Sequence, residues 1–280
     1  MIAYEDESLD PLVKAGTWKQ KTVDDHIIQI KAAFTHAHRR LHIDSDPSTK
    51  LRSYRRDDDG ANSGDDDAAW EKYTSRESAD ILTRAVVADH PLVKFGNWIA
   101  AHHGSRAAEI AEARTNHIYQ DEETGMWVFD YTLKDRPKGR RIKTGFSARR
   151  LPLPDVIVHD LGLLDYIERV RREYHGGEDG DLFPMLKERE QRLNKDASRV
   201  LMGFLRDQCG IKDELKVFHS WRAYVASALE GKVPVTRARK ITGHAPRTKG
   251  ERYIQHDLSD LAAAIGLIPT PVPILAEAAQ

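Results

Sequence analysis

Residues 219–253 read HSWRAYVASALEGKVPVTRARKITGHAPRTKGERY. A His-x-x-Arg pair opens the stretch, a Gly-His follows a helix-length gap, and a tyrosine stands nine residues after that histidine. Trp221, Tyr224, Val225 and Ala228 recur at i, i+3, i+4 and i+7, which predicts a helix over 219–230 with one apolar stripe. A second helix is expected around 234–242, stopped by Gly243. At about 100° per residue, His219 and Arg222 share a turn on a side away from Trp221 and Ala228. Neither is needed to build the core, so both can aim at a ligand. Taken alone, such a pair is also what an ordinary solvated helix surface shows.

Around this stretch lies a globular composition: 280 residues, 40% hydrophobic and 31% charged, ample for a core and unlike collagen or a membrane chain. One cysteine, Cys209, excludes an internal disulfide framework and fits a reducing compartment. No apolar run reaches the length of a membrane span, and the acidic start does not resemble a signal peptide, so the expected location is the cytoplasm. The net charge of −1 does not advertise nucleic acid, but its distribution is uneven. Residues 1–80 hold 12 Lys/Arg against 17 Asp/Glu, and residues 81–280 hold 31 against 27. The run KDRPKGRRIKTGFSARR at 134–150 carries eight basic residues and one acid, a stripe suited to phosphates although many such runs are merely solvated.

The chain before the stretch divides by composition. KTVDDHIIQIKAAFTHAHRRLHI at 21–43 reads as one helix with Ile27, Ile28, Ile30, Ala33, Phe34 and Ala37 on a broad apolar face. RRDDDGANSGDDDA at 55–68 is an acidic tether without calcium-loop spacing. Thr74 or Ser75 with Glu77 or Ser78 starts an amphipathic helix, and LVKFGNWIAAHH continues helical after Pro91. A short helix, RAAEIAEAR, follows the Gly104-Ser105 turn. MWVFDYT, RRIKTG and RRLPLP are short β-like runs between basic turns. Helix returns in 155–174, in 194–210 and over about 253–265. The expected domains are 1–54, a 55–70 linker, 71–268, and a Pro-rich arm at 269–280.

Three more residues complete an anion site by type. Arg106 follows the Gly-Ser turn at a helix start, where backbone N–H groups favour anions, and Glu109 can orient it through an i, i+3 pair. Lys143 lies in a β-like turn from which its stem can reach a cleft. No Cys/His spacing supports zinc, and no metal or other cofactor is expected.

In this order, Arg106, Lys143, His219-x-x-Arg222, His244 and Tyr253 resemble the signature of the tyrosine recombinases, the phage integrases. HHGSRAAEIAEARTNHI resembles the family's Gly-x-Arg-x-x-Glu helix. IKTGFSARRLPL resembles its Thr-Lys-Thr hairpin and Val-Pro-Leu strand. FHSWRAYVASAL resembles its His-x-Leu-Arg-His segment, with Trp221 for Leu and Ala223 for the frequent His. ITGHAPRTKGERYIQH resembles its Leu-Gly-His…Tyr segment. The resemblance covers roughly 71–268. It implies a mainly α fold with a small antiparallel β-sheet (α+β), the DNA breaking-rejoining catalytic fold.

The resemblance also implies a chemistry. Tyr253 attacks phosphorus to give a 3′-phosphotyrosine, while Arg106 and Arg222 grip the non-bridging oxygens. Lys143 protonates the departing 5′-oxygen, with Lys134 and Lys138 as alternatives if the hairpin register differs. His219 and His244 hydrogen-bond the phosphate, and His219 helps deprotonate the tyrosine. Arg140, Arg141, Arg149, Arg247 and Lys249 are expected on the DNA backbone. The implied partner is double-stranded DNA, bound by a homotetramer that is a monomer without it. Only the 22–43 helix and its neighbours precede the linker, resembling the last helix of the family's core-binding domain, so a fragment or a reduced clamp is expected. A topoisomerase of the same chemistry and a non-catalytic DNA-binding protein of the same fold are the alternative readings.

Overall fold

The structure is a computed structural model that describes residues 10–18, 20–51, 70–132, 148–186, 193–246, 248 and 250–270. Lys143, Lys134, Lys138, Arg140, Arg141, Arg247, Lys249, nearly all of the acidic tether and the end of the Pro-rich arm lie outside the described residues. The chain divides into two units, Met1–Asp65 and Asp66–Gln280.

In the smaller unit, α1 (Asp10–Lys14) precedes α2 (Gln20–Arg39). Val23 and Ile27 are buried with Leu51, and Trp18 and Ile30 pack against them. The buried stripe of α2 is narrower than its sequence suggests, because Ile28 and Ala33 face solvent. Asp46 accepts from the Ser48 amide at the start of a 3-10 turn, Pro47–Lys50, and from Thr35 Oγ1 at 2.8 Å, which ties that turn to α2.

In the larger unit, Thr74 and Glu77 form a reciprocal capping box that starts α3 (Ser75–Val86) and satisfies amides the first turn leaves open. Ile81, Leu82 and Ala85 form its buried stripe. Pro91 opens α4 (Pro91–His103), where its missing N–H costs nothing. Almost every side chain of α4 after Pro91 is buried, so this helix is the axis of the core. The Trp98 indole donates to Leu82 O, and Asn97 Oδ1 accepts the Trp221 indole N–H at 3.0 Å. Left-handed Gly104 ends α4, and α5 (Ala107–Ala111) follows.

Three short strands, β1 (Ile118–Gln120), β2 (Trp127–Asp130) and β3 (Arg150–Pro152), make an antiparallel sheet in that order. Ile118 pairs with Phe129 and Phe129 with Leu151, which lines up one buried row across the sheet. The sequence reading lacks β1, since three residues are too few to show an alternation.

The chain then returns to helix: α6 (Leu163–Tyr174), α7 (Leu193–Gly203), α8 (Ser220–Leu229), α9 (Val235–Thr242) and α10 (Leu258–Ile265). Three expected helices are more broken than their periodicity implies. Over 194–210, α7 gives way to a π turn (Phe204–Gln208). Over 155–174, a π turn (Val156–Asp160) and left-handed Gly162 precede α6. Over 253–265, a 3-10 turn (Gly250–Tyr253) and a loop precede α10. The fold is thus mainly α with a three-stranded antiparallel sheet.

One seam joins residues far apart in the chain. The Glu71 amide donates to Leu215 O, the Tyr73 hydroxyl donates to Val217 O at 2.6 Å, and Lys216 Nζ reaches both oxygens of Glu77 at 2.9 and 3.0 Å. The seam pins the segment leading into His219 against the start of α3.

Candidate active site

Two helix-ending glycines and one helix start build the centre of the site. Gly104 closes α4 at φ +60°, and Gly243 closes α9 at φ +70°. Both lie in the left-handed region that side chains disfavour, and neither has room for one. A Cβ on Gly104 would stand 3.1 Å from Thr242 Cγ2 and 3.3 Å from Arg222 Cα; on Gly243 it would meet Arg149 Nη1 at 2.7 Å. The glycines let two helix ends close onto arginine side chains.

Arg222 lies in the first turn of α8, beside buried Trp221, and is itself 1% exposed. The sequence reading set it on a side away from the core. The structure corrects this: α8 is buried nearly all round, and the guanidinium runs under the α4 terminus, where Nη1 donates to Gly104 O at 2.9 Å. Its Nε donates to His244 Nε2 at 3.2 Å. That bond defines the imidazole. Nε2 must accept, so the proton of the neutral ring is on Nδ1. Nδ1 then donates to Thr242 Oγ1 at 2.6 Å, and that hydroxyl donates to Ala238 O at 2.9 Å. Both ring nitrogens of His244 are therefore engaged within the protein, and its direct effect is to hold Arg222.

On the other side stands Glu109, on α5. It accepts from the Arg106 amide at 3.0 Å and from Arg106 Nη1 at 3.3 Å, the i, i+3 pair expected from sequence. It also takes both terminal nitrogens of Arg149, at 3.3 and 3.0 Å. Burial works to raise the Glu109 pKa, but the guanidiniums of Arg149, Arg222 and Arg106 outweigh it and hold the carboxyl at about 2. Across Arg106, Arg149, Arg222 and Glu109 there are three positive charges and one negative, a balance suited to an anion.

Arg149 was expected on the DNA backbone. It is instead 1% exposed, with Nε on Ile241 O and its guanidinium 4.1 Å above the Tyr131 ring. A side chain so enclosed cannot reach a backbone phosphate outside. Strand alternation could have shown this, since Arg149 shares a face with buried Leu151 and Leu153, whereas Arg150 points outward towards Asp121.

Under Arg149 lies a second histidine network. His103 Nε2 donates to Pro152 O at 3.0 Å, which leaves Nδ1 to accept from the Tyr131 hydroxyl at 2.9 Å. The Tyr131 oxygen accepts from Ser105 at 2.6 Å. Burial pushes the His103 pKa down to about 3 and drives that of the Tyr131 phenol up. Sequence reasoning passed over His103, Ser105, Tyr131 and Thr242, none of which carries a local signal beyond standing beside a glycine turn or a strand end.

His219 is half-buried immediately ahead of α8, and its carbonyl accepts the Arg222 amide at 2.9 Å, one turn along. Tyr253 ends a 3-10 turn with 85% of its surface exposed, so its phenol is not docked among the arginines. The structure thus brings together Arg106, Glu109, Arg222 and His244, adds Arg149, and leaves Tyr253 outside the cluster. Among the described residues, no group of three or more His, Cys, Asp or Glu side chains is placed to hold a metal ion, and no helix is long and apolar enough to cross a membrane.

No family model and no curated protein matches the chain. Among solved structures it is similar to an integrase from mycobacterium phage Brujita, at 17% identity and a TM-score of 0.42, covering 100% of this chain and 82% of that one.

Proposed function

We propose that the chain is a site-specific DNA strand transferase that works through a 3′-phosphotyrosine, as tyrosine recombinases do. The observation that carries the reading is the arginine cluster. Arg106, Arg149 and Arg222 come from three separate segments and gather around Glu109 with His244 in the same network. A preorganised set of guanidiniums suits the charge that builds on a phosphorane, and such donors act most strongly where burial excludes water.

In this reading Tyr253 Oη forms a bond to phosphorus as the bond to the 5′-oxygen breaks. The tyrosine proton passes towards His219, and Lys143 gives a proton to the leaving oxygen. Arg106 and Arg222 hold the non-bridging oxygens. His244 acts on Arg222 first, through the Nε–H···Nε2 bond. Tyr253 stands 85% exposed, and in this reading DNA binding and assembly into a tetramer bring its hydroxyl in line with a phosphate held at the cluster. A resting chain of this kind is expected to be a monomer.

The exposed Tyr253 also favours a second reading, a DNA-binding protein of the same fold that does not cut. The two separate on nicked duplexes tiling the DNA around the chain's own gene. The wild type should form a detergent-resistant adduct, and Tyr253→Phe should bind the same duplexes equally and form none. Equal retention of DNA with no adduct from the wild type would establish the second reading. An adduct persisting in Tyr253→Phe would assign the nucleophile elsewhere. Relaxation of a supercoiled plasmid lacking any such site would point to a topoisomerase.

A further inference from the structure

Arg149 makes contacts in three directions, and each goes to a part of the site that carries another functional residue. Nη1 and Nη2 meet both oxygens of Glu109, whose carboxylate also holds the amide and guanidinium of Arg106. Nε caps Ile241 O, one of the last carbonyls of α9, three residues before His244. The guanidinium face lies 4.1 Å from the Tyr131 ring, and the Tyr131 hydroxyl is anchored by Ser105 and His103. Gly243 leaves room for nothing larger, since a Cβ there would stand 2.7 Å from Nη1.

We propose that Arg149 is a positioning residue for the phosphate grip: its enclosed guanidinium sets the spacing between the α5 start, which carries Arg106, and the α9 end, whose His244 aims Arg222. The role rests on the phosphoryl-transfer reading above. Arg222 touches the turn before Arg106 through Gly104 O, and Arg149 adds a second tie, from Glu109 on α5 to Ile241 on α9, that fixes how the two segments are spaced. A planar fork with three donor nitrogens and a stacking face is needed for all of these contacts at once. Lysine, a single ammonium on a flexible stem, reaches Glu109 or Ile241 O but does not stack or bridge both. The strong depression of the Glu109 pKa, to which Arg149 is the leading favourable contributor, agrees with a tight pair.

The test uses the full chain and inorganic phosphate as the probe. Phosphate is titrated into wild type and Arg149→Lys while the Arg222 Nε–H resonance is followed, with near-ultraviolet circular dichroism as the check on folding. The expected result is a folded variant whose Arg222 resonance has shifted and whose phosphate affinity has fallen by about tenfold or more, the worth of one misaligned charge-assisted hydrogen bond. A merely structural arginine would lower the melting temperature and leave the Arg222 resonance of the folded fraction where it was. Unchanged resonance and unchanged affinity in Arg149→Lys overturn the proposal. Should Arg149→Lys fail to fold, Tyr131→Leu withdraws only the face under the guanidinium and is read by the same two criteria. Wild type that binds no phosphate would sink the phosphoryl-transfer reading, and the Arg222 resonance would then decide the positioning role by itself.

Discussion

His103 and His244 each stand next to a glycine that ends a helix, His103 just before Gly104 and His244 just after Gly243. Each imidazole is neutral, and each uses both nitrogens. They differ in tautomer and in what lies at the ends of their hydrogen-bond chains. His103 carries its proton on Nε2 and is fully enclosed, running from Ser105 through Tyr131 to the carbonyl of Pro152. His244 carries its proton on Nδ1, is half-buried, and runs from Arg222 through Thr242 to the carbonyl of Ala238. One chain contains only neutral groups from its first donor to its last acceptor. The other begins at a cation that the site can use. The same residue type thus serves as masonry in one place and as a handle in the other, and the neighbours decide which.

The largest effect should separate the two by stability. His103→Ala leaves a cavity and strips partners from Tyr131 and Pro152, which should cost about 3 kcal/mol. His244→Ala, with water at hand to replace its bonds, should cost about 1 kcal/mol. Urea unfolding of both variants measures the gap, and equal losses would break the distinction.

Acid should sharpen it. The folded state holds the His103 pKa near 3, whereas the unfolded chain binds that proton near its ordinary value of 6.5. Unfolded molecules therefore bind more protons below about 6.5, and stability present above that value drains away as pH falls towards 3. Glu109, held at about 2 against an ordinary 4.5, contributes stability that is complete above 4.5 and is lost only below it. Between 6.5 and 4.5 the histidines act without Glu109, with His102 and His90 pushed down by burial in the same direction. Over those two units His103 should account for about 2–3 kcal/mol. His103→Asn should flatten the slope of unfolding free energy against pH in that window, and an unaltered slope would mean that His103 is solvated.

The smallest effect concerns Thr242. Thr242→Val removes the acceptor that keeps the His244 proton on Nδ1 and should cost about 1 kcal/mol. Nitrogen-15 shifts of the imidazole should report a loss of the single Nδ1–H tautomer, with His103 unaffected. A His244 ring that keeps its tautomer in the variant would show that Arg222 alone selects it.

Much of this was legible in the sequence. The helix start at Thr74 or Ser75, the stop at Gly243, the i, i+3 pair of Arg106 with Glu109, and the stripe of Trp221 all rest on neighbours within one or two helical turns, and local spacing displays them. What escaped depended on distance. The burial of Arg222, though not its place in the grip, escaped because its lid, Gly104, lies 118 residues away in the chain. Arg149 looked like one more cation in a basic run because Glu109 and Ile241 are 40 and 92 residues off. Alternation from Leu151 was the one local sign of its burial. Strand β1 was too short to show a period, and the breaks at Gly162 and before α10 interrupt stretches whose apolar spacing alone suggests continuous helix.

The seam between 71–77 and 215–217 bears on when the site comes into being. The Tyr73 hydroxyl and Val217 are 144 residues apart in the chain, and Glu77 and Lys216 are 139 apart. Closing so long a loop is entropically costly and is repaid only once the elements between are in place. The segment entering His219 and α8 should therefore dock late in folding, after α3 and α4 have paired. Pulse-labelled amide exchange during refolding would show the Arg222 amide protected after that of Trp98. A chain interrupted before residue 215 would carry Arg106 and Glu109 and still lack the Arg222 and His244 that complete the cluster.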